Sequence, residues 1–160
     1  MSSYDSFSAD ELERYARHFA LPDFGIEAQN RLRESSVLVI GAGGLGAPLL
    51  LYLAAAGVGH IGILDFDTVS LSNLQRQVLY SVHDVGHSKA ALAAQRLKAL
   101  NPDIRVTVHN EALSRHNALQ LIQPYQVVVD GTDNFPTRYL ANDAAVLTGK
   151  TYIYRSEEHT

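Results

Sequence analysis

Cysteine is absent from the 160 residues, which excludes disulfides and thiolate-held zinc within this chain. A basic excess is also missing. Thirteen Lys and Arg against seventeen Asp and Glu leave a formal charge of −4, so neither nucleic acid nor an anionic membrane is an expected partner. No apolar run reaches the roughly 18 to 20 residues of a membrane span, and the longest lies around residues 47–56. The N-terminal stretch MSSYDSFSADELERYARH is polar and carries acids, unlike a secretory or transit leader. A cytoplasmic location is the default expectation. With 46% hydrophobic and 19% charged residues the composition is that of an ordinary globular chain. Its length suits one domain burying roughly 70% of the unfolded surface.

What is present alternates short apolar strands with helix-like segments. Ser8 followed by Glu11 makes a capping box that opens a first helix through ADELERYARH. VLVIG (37–41) reads as a buried strand, β-branched and ended by glycine. A helix follows from about Leu45, with Pro48 in its first turn and Gly57 as its stop. HIGILDFD (60–67) is a second strand. Ser88 caps a helix, KAALAAQRLKAL, that ends at Asn101-Pro102. IRVTVHN (104–110) alternates as a third strand, and Ser114 opens a short helix stopped at Pro124. QVVVDGTDN (126–134) is an apolar strand running into a polar loop. Pro136 then starts a helix that ends at Thr148 with Gly149 as its stop, and TYIY (151–154) is a fifth strand.

This order predicts an α/β, Rossmann-like, doubly wound and mainly parallel sheet with helices on both faces. The expected organisation is a single domain over 1–160, with an N-terminal helical segment (1–35) and a nucleotide-binding core (36–154). The final RSEEHT stops where a loop and helix normally follow, and it resembles a translated sequencing-library adapter. The chain therefore reads as truncated with a non-native tail over 155–160; a genuine polar C-terminus is the alternative.

GAGGLG (41–46) lies between the first strand and its helix. Gly41 permits the tight turn, Gly43 lets the backbone approach a phosphate, and Gly46 lets helix pack on strand. Amides at the helix N-terminus face the anion. Asp65, 19 residues past Gly46, is placed to accept ribose hydroxyls. The loop thus points to a nucleotide without naming it. Asn73, Gln75 and Arg76 follow in DFDTVSLSNLQRQ. A hydride-transferring enzyme needs no arginine there, whereas attack on ATP builds negative charge that cations and preorganised donors offset. Lys89 is a second candidate cation. For either residue alone, a solvated surface charge is the plainer reading. His83 and His87 are four apart, but Gly86 interrupts any helix that would bring them to one face, so no metal site is expected there.

GAGGLG, LDFDTVSLSNLQRQ, VGHSKA and DGTDN, in this order and spacing, closely resemble the MoeB/ThiF/HesA adenylyltransferases, bacterial relatives of ubiquitin-activating enzymes. The resemblance runs over residues 14–154 and is nearer to MoeB-like than to ThiF-like members. It implies ATP on Gly41, Gly43, Gly44 and Gly46, with Asp65 on the ribose. Asn73, Arg76 and Lys89 would meet the triphosphate, and Ser72, Leu74 and Gln75 would belong to the same nucleotide-binding set. Asp133 would hold Mg2+ near the α-phosphate, with Asn134 close by; a helix N-cap is the plainer role for Asp133. Arg17, in RYARH, resembles the arginine that family dimers insert into the partner's ATP site, which would make the homodimer part of catalysis.

The implied catalytic set is Arg17, Arg76, Lys89 and Asp133. The implied reaction is adenylation of the C-terminal glycine carboxylate of a small ubiquitin-like sulfur carrier, ending in Gly-Gly, on the way to molybdopterin or thiamin. That carboxylate is already ionised at pH 7, so no general base is needed. Family members are longer, and their structural zinc site falls beyond this chain, which offers no ligands for it. An NAD-dependent oxidoreductase and a non-catalytic protein that dimerises or binds a carrier are the other classes left open.

Overall fold

The computed structural model describes residues 6–154. Five strands, β1 (Ser36–Ile40), β2 (His60–Leu64), β3 (Arg105–His109), β4 (Val127–Asp130) and β5 (Thr151–Tyr154), form one parallel sheet in the order β3–β2–β1–β4–β5. β1 alternates between two cores. Val37 and Val39 pack with Leu50, Ala54, Ala93 and Leu97, while Leu38 and Ile40 pack with Ile122, Tyr125, Val128 and Ala144. The first core is covered by α4 (Gly46–Ala56) and α5 (Lys89–Leu100), the second by α6 (Ala118–Ile122) and α7 (Phe135–Thr148). Coverage on both faces explains why the central strands carry continuous apolar runs. The expected doubly wound α/β architecture is present.

Local signals set several helix ends. The Ser88 side chain accepts from the Ala91 N–H, and Asn134 accepts from Thr137. Gly57 and Gly149 take left-handed φ values of 87° and 67° as helix stops, a conformation glycine adopts without a Cβ penalty. No helix among the described residues is long and apolar enough to cross a membrane.

Four expectations need correction. The first helix is broken: α1 (Ala9–Arg14), opened by the reciprocal Ser8–Glu11 box, gives way at Tyr15 to α2 (Ala16–Phe19). Tyr15 is buried, and its hydroxyl accepts from Asn101 Nδ2 at 2.8 Å. Strand β2 ends at Leu64 instead of 67, because Asp65 Oδ1 accepts from the Asp67 N–H at 2.7 Å and closes a turn. The helix assigned to Ser114 begins at Ala118 with Asn117 as its N-cap residue, since Asn117 Oδ1 takes the Ser114 N–H at 2.7 Å in the preceding turn. The N-cap of α7 is Asn134, not Asp133. A further helix, α3 (Gly25–Glu34), completes the N-terminal segment. The suspected tail, 155–160, lies outside the described residues.

Candidate nucleotide site

All five strands end on one side, and there a cleft of about 730 Å³ opens between the segments that follow β1, β2 and β4. β1 has β2 on one side and β4 on the other, so the chain's direction across the sheet reverses here. Ligands of open α/β sheets bind at such a switch point.

The glycine turn is built by backbone packing. Gly41 has φ +88° and donates to the Leu64 carbonyl at 2.8 Å. A Cβ on Gly46 would stand 1.7 Å from the Gly41 carbonyl oxygen. One on Gly131 would stand 3.1 Å from the Gly46 nitrogen. Three glycines therefore let the ends of β1 and β4 and the start of α4 meet. Gly43 and Gly44 face the cleft instead, beneath the side chains of Gln77 and Arg76 respectively.

Beyond β2 the chain makes an excursion that forms one wall and returns through a bridge between Thr68 and Ser88. Asp65 clamps its start: Oδ2 accepts from the Ala42 N–H at 2.7 Å, while Oδ1 holds Asp67. Burial pushes the Asp65 carboxyl above its ordinary range, and the two amide donors partly offset this. Each oxygen keeps a second acceptor site, and Asp65 lines the cleft. Tyr80 donates to the Ala42 carbonyl at 2.8 Å and ties the same turn to the excursion. Burial, then the nearby Asp65 carboxylate, pushes the Tyr80 phenol well above the tyrosine range. Lys89 is buried in the cleft, and its Nζ lies 3.3 Å from Asp67 Oδ2. Asp67 is half-exposed, and it is the one carboxylate partner of the ammonium among the described residues, which leaves two further donors.

The opposite wall follows β4. Asp130 is buried; its Oδ1 accepts from the Thr132 N–H and hydroxyl at 2.8 and 2.6 Å, and its Oδ2 accepts from the Tyr152 hydroxyl at 2.8 Å. This turn, the counterpart of the one at Asp65, presents Asp133 and Asn134 to the cleft. Asp133 is exposed. Arg138 lies over the Phe135 and Tyr154 rings, with Nε 4.0 Å from Asp130 Oδ2.

The cleft thus gathers Gly41, Gly43, Gly44, Asp65, Asn73, Arg76, Lys89, Asp133 and Asn134. It does not include Gly46, which packs, nor Ser72, Leu74 and Gln75 of the turn that carries Asn73 and Arg76. Arg17 is exposed on α2. Its neighbours pack at the far end of α4: His18 binds Gln29, which donates to the Ala56 carbonyl. Eleven residues of helix, about 16 Å, separate that end from the glycine turn. Gln77, Tyr80, Asp130 and Tyr152 were missed by sequence reading. Gln77 and Asp130 had local signals, the first following directly on Arg76 and the second opening DGTDN.

The ThiF family profile matches residues 15–158. The chain belongs to the ThiF family. This ThiF-family chain is 58% identical over 151 residues to the probable adenylyltransferase/sulfurtransferase MoeZ of Mycobacterium tuberculosis, covering 94% of this chain and 38% of that protein. It is 54% identical over 148 residues to a sulfur carrier protein adenylyltransferase of Thermus thermophilus, covering 92% and 55%. Among solved structures, the E. coli tRNA N6-threonylcarbamoyladenosine dehydratase TcdA in complex with ATP superposes with a TM-score of 0.87 at 26% identity, covering 92% of this chain and 60% of that one. The chain therefore spans between 38% and 55% of the length of these two relatives.

Proposed function

We propose that the cleft binds ATP and that the chain serves adenylation of the C-terminal glycine carboxylate of a ubiquitin-like sulfur carrier, for molybdopterin or thiamin synthesis. The observation that carries this is the meeting of Arg76 and Lys89 with the glycine turn and Asp133 in one cleft. Two cations and an acid there fit a triphosphate with its metal; a nicotinamide cofactor would leave them without work. The adenylyltransferase names of the relatives, and the ATP complex of the structural neighbour, support the same reading.

In this reading a carboxylate oxygen of the carrier attacks the α-phosphorus, the bond to the bridging oxygen breaks, and pyrophosphate leaves with an acyl-adenylate formed. Gly43 and Gly44 let the phosphate chain lie against the backbone at the N-terminus of α4. Arg76 and Lys89 offset the charge that develops on the phosphates, and Asn73 donates to them. Ser72, Leu74 and Gln75 shape the turn that aims Asn73 and Arg76. Asp65 accepts ribose hydroxyls with its remaining lone pairs. Asp133 and Asn134 close the other side. Mg2+, when bound, supplies charge neutralisation at the phosphates. One carboxylate with waters and phosphate oxygens is a usual set for it, and Asp133 fits as the protein ligand. Arg17 lies too far from its own cleft to serve it, so its proposed role requires the partner in a homodimer.

Pyrophosphate exchange with ATP, Mg2+ and a carrier ending in Gly-Gly tests the proposal. Exchange should depend on the carrier and fall about 10²- to 10³-fold in Arg76→Ala, the usual effect of removing one transition-state donor. Tighter binding of NADH than of ATP with Mg2+ would overturn it.

A further inference from the structure

Among the polar side chains lining the cleft, Gln77 is left with a hydrogen bond unmade. It is only 4% exposed, and its Oε1 is shut away from solvent with no hydrogen-bond partner among the described residues. Its backbone is fixed at both ends. The N–H donates to the Asn73 carbonyl at 3.0 Å, and its carbonyl accepts from the Tyr80 N–H at 3.1 Å. The side chain reaches over the glycine turn, with Nε2 3.4 Å from where a Cβ on Gly43 would stand. Arg76, one residue earlier, lies over Gly44 in the same way, its Cδ 3.6 Å from the corresponding point.

A buried amide oxygen without a partner is costly, so native folds keep few of them. A hydrocarbon side chain would fill this wall without that cost. The position of the amide supplies a reason for it to be there. Two consecutive residues stand over two consecutive glycines, on the path that a phosphate chain takes across the turn. The donor end of the amide, Nε2, faces the Gly43 side of the turn, while the unpartnered Oε1 is the end shut away from solvent.

We infer that Gln77 is a phosphate-contacting residue: its Nε2, which already stands over Gly43, donates to a phosphate oxygen there when nucleotide binds. It acts beside Arg76 but without charge, adding geometric selectivity for the chain's position on the turn. The inference rests on the ATP reading of the cleft. It goes beyond it by adding a residue that neither charge nor metal binding would select.

The test compares the unmodified chain with Gln77→Leu by titration with ATP and with adenosine, alongside thermal unfolding without ligand. Gln77→Leu should weaken ATP about tenfold, the weight of one hydrogen bond to a charged group. Adenosine affinity should change less than twofold, and the unliganded melting temperature should hold or rise, because the unpaired oxygen is gone. Should Gln77→Leu not fold, Gln77→Met fills similar space with a flexible chain and carries the same expectation. ATP affinity within twofold of the unmodified chain would overturn the inference while leaving the ATP reading intact, as would equal losses for ATP and adenosine. Failure of the unmodified chain to bind ATP would overturn both.

Discussion

Gly46→Ala should break the glycine turn even though Ala is the better helix former. The new methyl would stand 1.7 Å from the Gly41 carbonyl oxygen, against a practical floor of 3.0 Å for such contacts. Turn and helix must therefore part by at least about 1.3 Å. Neither side yields easily. Gly41 is held by its bond to the Leu64 carbonyl, and Ala42 by Asp65 and Tyr80. Gly46 is in turn backed by Gly131 at the end of β4. Forcing extra atoms into a packed core costs about 1–3 kcal/mol, and more where backbone must move. The helix-propensity gain, at most about 1 kcal/mol, offsets part of this. The net expectation is a loss of at least about 2 kcal/mol, the upper end of the overpacking cost less the propensity gain, read from the urea midpoint at unchanged m-value. Gly43→Ala is the control, because its methyl meets only the Gln77 amide at 3.4 Å. That variant should unfold within about 1 kcal/mol of the unmodified chain, the ordinary range for a change away from packed backbone, yet bind ATP less well. A Gly46→Ala chain as stable as Gly43→Ala would refute the account of the turn as a backbone-to-backbone joint.

Asp84 is held down to about 2 from 3.8, first by the Arg96 guanidinium and then by the Ser81 N–H. A depressed carboxyl stabilises the fold above its unfolded value and loses that contribution as pH falls through its folded one. The stability gap between the unmodified chain and Asp84→Asn should therefore hold steady from neutral pH down to roughly pH 4 and close toward pH 2; a gap unchanged at pH 2 would contradict the Arg96 pairing. Tyr152→Phe should cost about 1.5–3 kcal/mol in chemical denaturation, since it strips the Asp130 carboxylate of a buried donor. It should also weaken ATP with Mg2+ more than adenosine, because Asp130 holds the loop that carries Asp133.

Features written within a few residues were legible in the sequence. The Ser88 cap, the Gly57 and Gly149 stops and the order of strands and helices all follow from local chemistry, and each stands where it was read. Gly41, Gly43, Gly44, Asp65, Asn73, Arg76, Lys89, Asp133 and Asn134 line one cleft, while Gly46, Ser72, Leu74 and Gln75 do not. Partnerships across long separations were not legible. The break at Tyr15 depends on Asn101, 86 residues away, and the glycine turn depends on Tyr80, 38 residues from Ala42. Asp65 shows the intermediate case. Its position after β2 was readable, but its present occupation with Ala42 and Asp67 was not. Spacing marks a carboxylate as available to a ligand and is silent on which amides reach it first.

The buried polar groups separate the two ends of the sheet by how completely they are bonded. At the end away from the cleft, Gln29 bridges His18 and the Ala56 carbonyl, while Asn101 Nδ2 donates to Tyr15 and to the Ala54 carbonyl. These amides are neutral and engaged at both termini, and they fasten the N-terminal helices to α4 and α5. At the cleft end the buried groups are charged or incompletely bonded: Asp65 above its usual range, Lys89 with a single half-exposed partner, Gln77 with an orphaned oxygen. A chain selected for stability alone would finish those bonds or replace the groups with hydrocarbon, as it has at the other end. The unfinished bonding is what the proposed nucleotide site would account for. Its sign pattern, with donors and cations on the glycine wall and acids at Asp65 and Asp133, is the one that the proposed phosphates, ribose and metal would require.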